Sequence, residues 1–186
     1  MLLAHKSLLN SLTIVLASQS PRRQELLRCN LGFENLHCIP SRFAEDIEKA
    51  TCASPEDYVS KTSLGKLRDL IGRREELSIE PDMIISADTI VVGTDNSILE
   101  KPFDRDHAIR MLTSLSGKRH QVMTAVSIGV KKKRTGASDG EDTFSITSFV
   151  EKTDVFFANL KPEDISSYVD SGEPFDKGKV ISIFIV

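Results

Sequence analysis

The chain has 186 residues, 40% of them hydrophobic and 27% charged, enough to bury one substantial core and too apolar for a disordered polymer. A net charge of −3 lacks the basic excess of a general nucleic-acid binder, so any phosphate binding must come from local cation clusters. Three cysteines without Cys-x-x-Cys spacing suggest neither a disulfide framework nor a zinc site, and no apolar run reaches the length of a membrane span. Met1 to Ser11 is too short and too weakly apolar for a secretory signal, so a cytoplasmic location with reduced thiols is expected, a mitochondrial extension being the lesser alternative.

Strand and helix patterns alternate along the chain, which predicts an α/β fold. The apolar run Leu12 to Leu16 reads as a buried strand. Ser20 can cap a following helix, and Pro21 suits its first position, where no backbone donor is needed. Ser18, Arg22 and Arg23 then put hydroxyl and guanidinium donors at a helix start, whose free amides and dipole also favour an anion. An isolated Ser-Pro-Arg-Arg also fits a capped surface helix with arginines solvated or paired to Glu25. Phe33 to Ile39 predicts a second strand, and Ser54-Pro55-Glu56-Asp57 opens a helix running to about Ile71.

Met83 to Ala87 predicts a short strand ending at Asp88, the kind of position from which α/β proteins present catalytic groups. Asp88 fits equally a polar turn residue bonded to Thr89. Gly93 to Ser97 predicts a hairpin turn before Ile98 and Leu99. From Asp104, the apolar residues Ala108, Met111, Leu112 and Leu115 recur on one helical face, with Gly117 as the stop. Two long strands are expected over Gln121 to Val130 and Thr143 to Phe157, joined by a loop carrying Lys131-Lys132-Lys133-Arg134. That tetrad reads as an exposed hairpin tip, with a nuclear signal as the alternative. A last short helix is marked by Ile165, Tyr168 and Val169.

The string Leu16 to Leu27, Leu-Ala-Ser-Gln-Ser-Pro-Arg-Arg-Gln-Glu-Leu-Leu, resembles the signature of the Maf family of nucleoside triphosphate pyrophosphatases. Later blocks are similar in the family's order: Ser86-Ala87-Asp88-Thr89-Ile90-Val91, Ile98-Leu99-Glu100-Lys101-Pro102, Met111 through Gly117 to His120, Thr153 to Phe157, and Gly172-Glu173-Pro174-Phe175-Asp176-Lys177. The resemblance implies a mixed twisted sheet with flanking helices and a central cleft, of the Maf and inosine triphosphatase type. It divides the chain into an extension over 1–11, a pyrophosphatase domain over 12–177 and an atypical apolar tail over 178–186.

The resemblance also implies hydrolysis of a nucleoside triphosphate to the monophosphate and pyrophosphate, with removal of noncanonical nucleotides as the role. Asp88 corresponds to the family's general base. Ser18, Arg22, Arg23, Lys66 and Lys101 would be phosphate contacts, and Glu45 and Asp88 would hold Mg²⁺ or another divalent cation. Arg22 and Thr89 resemble the branch acting on dTTP and UTP, with a 7-methyl-GTP-type enzyme as the alternative. His120 is a lesser polar candidate against a structural histidine, and Glu173, Asp176 and Lys177 are set against a charged turn. Expected partners are the nucleotide and, at most, a second copy of the chain, with neither nucleic acid nor membrane.

After Lys177 the family's usual Ala-Gly-x-Tyr-Gly-Ile-Gln is replaced by Gly178 to Val186, a β-prone segment without charge after Lys179. Gly178-Lys179-Val180 can be encoded across an intron start, so a retained intron is one expectation. A catalytically weak or inactive nucleotide-binding isoform is the functional alternative that this departure raises.

Overall fold

The computed structural model describes residues 5–99, 102–132 and 143–172. In chain order these form α1 (Lys6–Ser11), β1 (Ile14–Leu16), α2 (Pro21–Glu25) running on into a wider π turn over Leu26–Asn30, β2 (Leu36–Cys38), α3 (Pro55–Gly72), β3 (Met83–Val92), β4 (Ile98–Leu99), α4 (Arg105–Leu115), β5 (Arg119–Lys131), β6 (Phe144–Phe156) and α5 (Pro162–Asp170). The six strands form one mixed sheet in the order β2-β1-β3-β5-β6, with β4 also on β3. Strand β1 runs parallel to both neighbours, Leu16 facing Cys38 on one side and Ile85 on the other, while β3 and β4 are antiparallel. The α/β fold with a mixed sheet and flanking helices is therefore as expected.

The chain forms two compact units, and β3, β5, β6 and α3 each contribute residues to both. The first comprises Met1–Thr51, Ser60–Asp88 and Ala125–Val150. Its β1 is covered on both faces, which is why Ile14, Val15 and Leu16 form an unbroken apolar run. Their side chains alternate: Ile14 and Leu16 pack with Leu27, Phe33, Leu36 and Ile85, whereas Val15 and Ala17 pack with Ile84 and with Leu67 and Leu70 of α3. Beneath α3 the buried Ser63, Ser86 and Ser127 satisfy one another. Ser86 Oγ donates to the Ser63 carbonyl at 2.8 Å, and Ser63 Oγ lies 3.1 Å from Ser127 Oγ.

The second unit comprises Cys52–Val59, Thr89–Thr124 and Glu151–Val186, with its core formed by Val91, Val155 and Phe157 against Ala108, Met111, Leu112 and Leu115 of α4 and Ile165, Tyr168 and Val169 of α5. Asp104 caps α4 by accepting from the His107 amide at 2.6 Å, and Arg105 ties α4 to α5 through Asp170 and Ser166. After α4, Gly117 has φ +66° and donates its N–H to the Ala158 carbonyl; a Cβ there would lie 2.2 Å from Asn159 Oδ1.

Three local expectations need correction. Strand β3 does not stop at Ala87 but continues to Val92, because Ile90, Val91 and Val92 are buried and the β4 hairpin pairs Val91 with Leu99 and Val92 with Ile98. What ends at this level is β1, whose last pair is Leu16 with Ile85, so Asp88 lies three residues beyond it on a continuing strand. Strand β2 is three residues long rather than seven. Phe33 closes the preceding helix, its N–H donating to the Leu27 carbonyl after Gly32 turns the chain at φ +71°. Ser20 stands at the helix start without a side-chain cap, its own N–H going instead to Ser18 Oγ at 3.1 Å.

Candidate active site

The face of β3 that buries Ile84 against α3 continues as Ser86 and then Asp88, the period of two carrying an apolar, a hydroxyl and a carboxylate side chain toward one helix. On α3 the buried positions Thr62, Ser63, Lys66, Leu67 and Leu70 recur at three- and four-residue spacing, so Lys66 is a cation on the inward stripe. Lys66 Nζ lies 2.9 Å from Asp88 Oδ1 and 2.8 Å from Glu45 Oε1. The Lys66 and Asp88 side chains are 11% and 14% exposed, whereas Glu45, on the irregular segment after β2, is 56% exposed.

The turn after β1 supplies a second cation. The Ala17 amide donates to the Ile85 carbonyl, continuing the β1–β3 contact and leaving Ser18 to begin the turn. Half-buried Arg23 donates from Nη1 to the Ala87 carbonyl at 2.7 Å and lies 3.5 Å from Ser18 Oγ. Burial pushes the Arg23 guanidinium below its ordinary pKa, and the negative charges of Asp88 and Glu45 oppose that fall. Two carboxylates, an ammonium and a guanidinium thus lie within one electrostatic cluster.

The structure therefore brings together Ser18 and Arg23 from the β1–α2 junction, Glu45 from the segment after β2, Lys66 from α3 and Asp88 from β3, four stretches of chain. Arg22 is exposed on the first turn of α2. Thr89, next along β3, places Oγ1 3.0 Å from Thr124 Oγ1. Lys101, Glu173, Asp176 and Lys177 lie outside the described residues, as do the tail over 178–186 and the Lys133-Arg134 half of the basic tetrad. His120 is buried with its ring edge-on to Phe157, and neither ring nitrogen meets a hydrogen-bond partner among the described residues. Burial lowers its pKa, the nearby Lys118 backbone partly offsetting that effect.

Among the described residues no group of three or more His, Cys, Asp and Glu side chains forms a metal cage. Glu45 and Asp88 nonetheless suit a hard divalent cation that takes one or two carboxylates and completes its shell with water and phosphate oxygens. Sequence reasoning missed the groups that hold this arrangement: the Ala87 carbonyl, Gly65 under Phe43, and the Asp69–Arg73 pair. An Asp and an Arg four residues apart on a helix were the available signal for the last of these.

The described residues include no helix long and apolar enough to cross a membrane, and Cys29, Cys38 and Cys52 are all free. The family model described as Maf-like protein matches residues 13–180. The chain is 41% identical over 166 residues to a human probable bifunctional dTTP/UTP pyrophosphatase/methyltransferase protein, covering 88% of this chain and only 25% of that longer relative. It is 40% identical to a nucleoside triphosphate pyrophosphatase of Dictyostelium discoideum, covering 91% of this chain and 74% of the relative. It is also 41% identical to a dTTP/UTP pyrophosphatase of Vibrio parahaemolyticus, with 90% and 77% covered. With the expected strand-turn-helix and Asp88 strand in place, and with this likeness along nearly its whole length, the chain belongs to the Maf-like protein family.

Proposed function

We propose that residues 12–177 form a nucleoside triphosphate pyrophosphatase that hydrolyses dTTP and UTP to the nucleoside monophosphate and pyrophosphate. The observation that carries the chemistry is Asp88 held against Lys66, with Glu45 and Arg23 beside it. The names of the relatives in Vibrio and Dictyostelium support the reaction and its substrates.

Asp88 is the general base. It takes a proton from water as the water oxygen bonds to the α-phosphorus, the bond from that phosphorus to the bridging oxygen breaks, and pyrophosphate leaves. Lys66, Arg23 and Ser18 hold phosphate oxygens, and Lys101 is a further phosphate contact by its likeness to the family's Lys-Pro block. Arg22 and Thr89 are the specificity positions. A divalent cation such as Mg²⁺, held by Glu45 and Asp88, supplies charge neutralisation to the triphosphate when bound. Asp88 begins ion-paired, so substrate phosphates drawing Lys66 away leave the carboxylate available as a base. The setting is the cytoplasm, where an enzyme of this kind removes noncanonical nucleotides, and a homodimer is compatible with the reading.

Pyrophosphate release from dTTP, UTP, 7-methyl-GTP and the purine triphosphates, with Mg²⁺ and with chelator, tests the proposal. The expected result is metal-dependent turnover with pyrimidine preference. Nucleotide binding without turnover selects the inactive isoform, and turnover greatest with 7-methyl-GTP selects the other branch.

A further inference from the structure

Glu45 faces a problem of positioning. It is more than half exposed on a segment without regular structure, and an ion pair whose carboxylate stands that far in water is too weak to order such a segment alone. Its placement on Lys66 must come from neighbouring attachments. Those attachments lie immediately upstream of Glu45, and they end on the C-terminal half of α3 and the residues that directly follow it, Arg73 and Glu76.

Arg73 Nη2 donates to the Pro40 carbonyl at 2.6 Å. Asp69 Oδ2 accepts from Ser41 Oγ at 3.1 Å, from the Arg42 amide at 2.9 Å and from Arg73 Nε at 3.0 Å. Ser41 Oγ accepts in turn from the Phe43 amide at 2.9 Å. The Phe43 ring lies so close to α3 that a Cβ at Gly65 would sit 2.5 Å from it. Gly65 and Asp69 of α3 and Arg73, whose amide closes the helix end on the Asp69 carbonyl, are spaced by four and form one stripe next to Lys66. Burial opposes ionisation of Asp69, but the bonds from Arg42, Arg73 and Ser41 hold its pKa below the ordinary carboxylate value. One helix thus presents Lys66 and also fixes the segment that brings Glu45 to it.

We propose that the Gly65–Asp69–Arg73 stripe is a positioning device for the pyrophosphatase site: it clamps residues 40–43 so that Glu45 stands beside Asp88 as the second carboxylate for a divalent cation. The proposal rests on the functional reading above. Asp69 touches neither substrate nor metal in it, and acts through Glu45. At Gly65 a side chain would occupy the place of the Phe43 ring, so the ring packs against α3 only where the helix carries no Cβ.

The test is a double-mutant cycle of Asp69→Ala with Glu45→Gln in the full chain, read by Mn²⁺. Free Mn²⁺ is followed by electron paramagnetic resonance, and the half-activating Mn²⁺ concentration is followed in dTTP turnover. Asp69→Ala is expected to weaken Mn²⁺ by about tenfold, the low end for loss of a group that orients a ligand. In the Glu45→Gln background the same change is expected to have less than about a twofold effect, because the group it positions is gone. Equal effects in both backgrounds, no effect of Asp69→Ala, or no effect of Glu45→Gln on Mn²⁺ each overturn the proposal. If Asp69→Ala does not fold, Ser41→Ala enters the same cycle with the same decisive outcomes, since it cuts the link from Asp69 to Phe43. Asp88→Asn separates the two levels: loss of turnover there with a harmless Asp69→Ala sinks the clamp alone, and full turnover there sinks the functional reading.

Discussion

Asp88→Asn separates chemistry from stability because the structure bounds each effect. Asparagine keeps the volume of the side chain and an acceptor oxygen for Lys66 Nζ, now 2.9 Å from Asp88 Oδ1, but it cannot take a proton from water. Breaking a fully buried ion pair costs about 3–5 kcal/mol. Here the cost should be nearer 1 kcal/mol, since the hydrogen bond survives and Glu45 still neutralises Lys66. That is a Tm change of roughly 2–4 °C in a chain of this size, and with a typical stability of about 5–15 kcal/mol the protein stays folded at 25 °C. Loss of the general base removes about 10²–10⁴-fold in turnover, some 3–5 kcal/mol of barrier. The assay is pyrophosphate release from dTTP and UTP with saturating Mg²⁺, alongside a thermal melt by circular dichroism. Turnover within about threefold of the parent, with an unchanged melt, would refute the assignment.

Arg23→Ala removes the guanidinium that reaches the Ala87 carbonyl and should raise KM and lower kcat together, with kcat/KM down by about tenfold or more; unchanged efficiency returns Arg23 to a structural part. Gly117→Ala forces a side chain into φ +66° and onto Asn159, so Tm should fall by about 3–8 °C, and an unaltered melt contradicts the close approach. Because burial lowers the folded-state pKa of His120, its contribution to stability is complete above the unfolded value of 6.5 and is lost as pH falls from there through the folded value. Denaturant stability should therefore decline between pH 7.5 and 5.5 more steeply in the parent than in His120→Leu. Parallel slopes count against that cause.

The sequence by itself determined most of what depends on short-range pattern. The unbroken apolar run of β1, the one-faced apolar spacing of α4 from Asp104, the Gly93 to Ser97 hairpin and the glycine stop after α4 are all local chemistry, and they stand where the pattern put them. Asp88 stood out by its place after an apolar run as well as by likeness to a family block, whereas Lys66 and Glu45 could be singled out by that likeness alone, since a lone lysine or glutamate carries no such mark in sequence.

Tertiary structure decided where those local elements end and which of their side chains meet. The length of β3 follows from the hairpin beyond it and the core that buries Ile90 to Val92, and β2 is short because Phe33 is spent closing a helix. Lys66 meets Asp88 across 22 residues because β3 and α3 share the face that buries Ile84 with Leu67 and Leu70. Glu45 meets Lys66 from a segment without regular structure, whose Pro40, Ser41 and Arg42 bond to Asp69 and Arg73 27 to 33 residues on, contacts that local propensity leaves undefined. Such encounters depend on distances across the fold, and a pattern read along the chain carries periodicity but no distance between its elements.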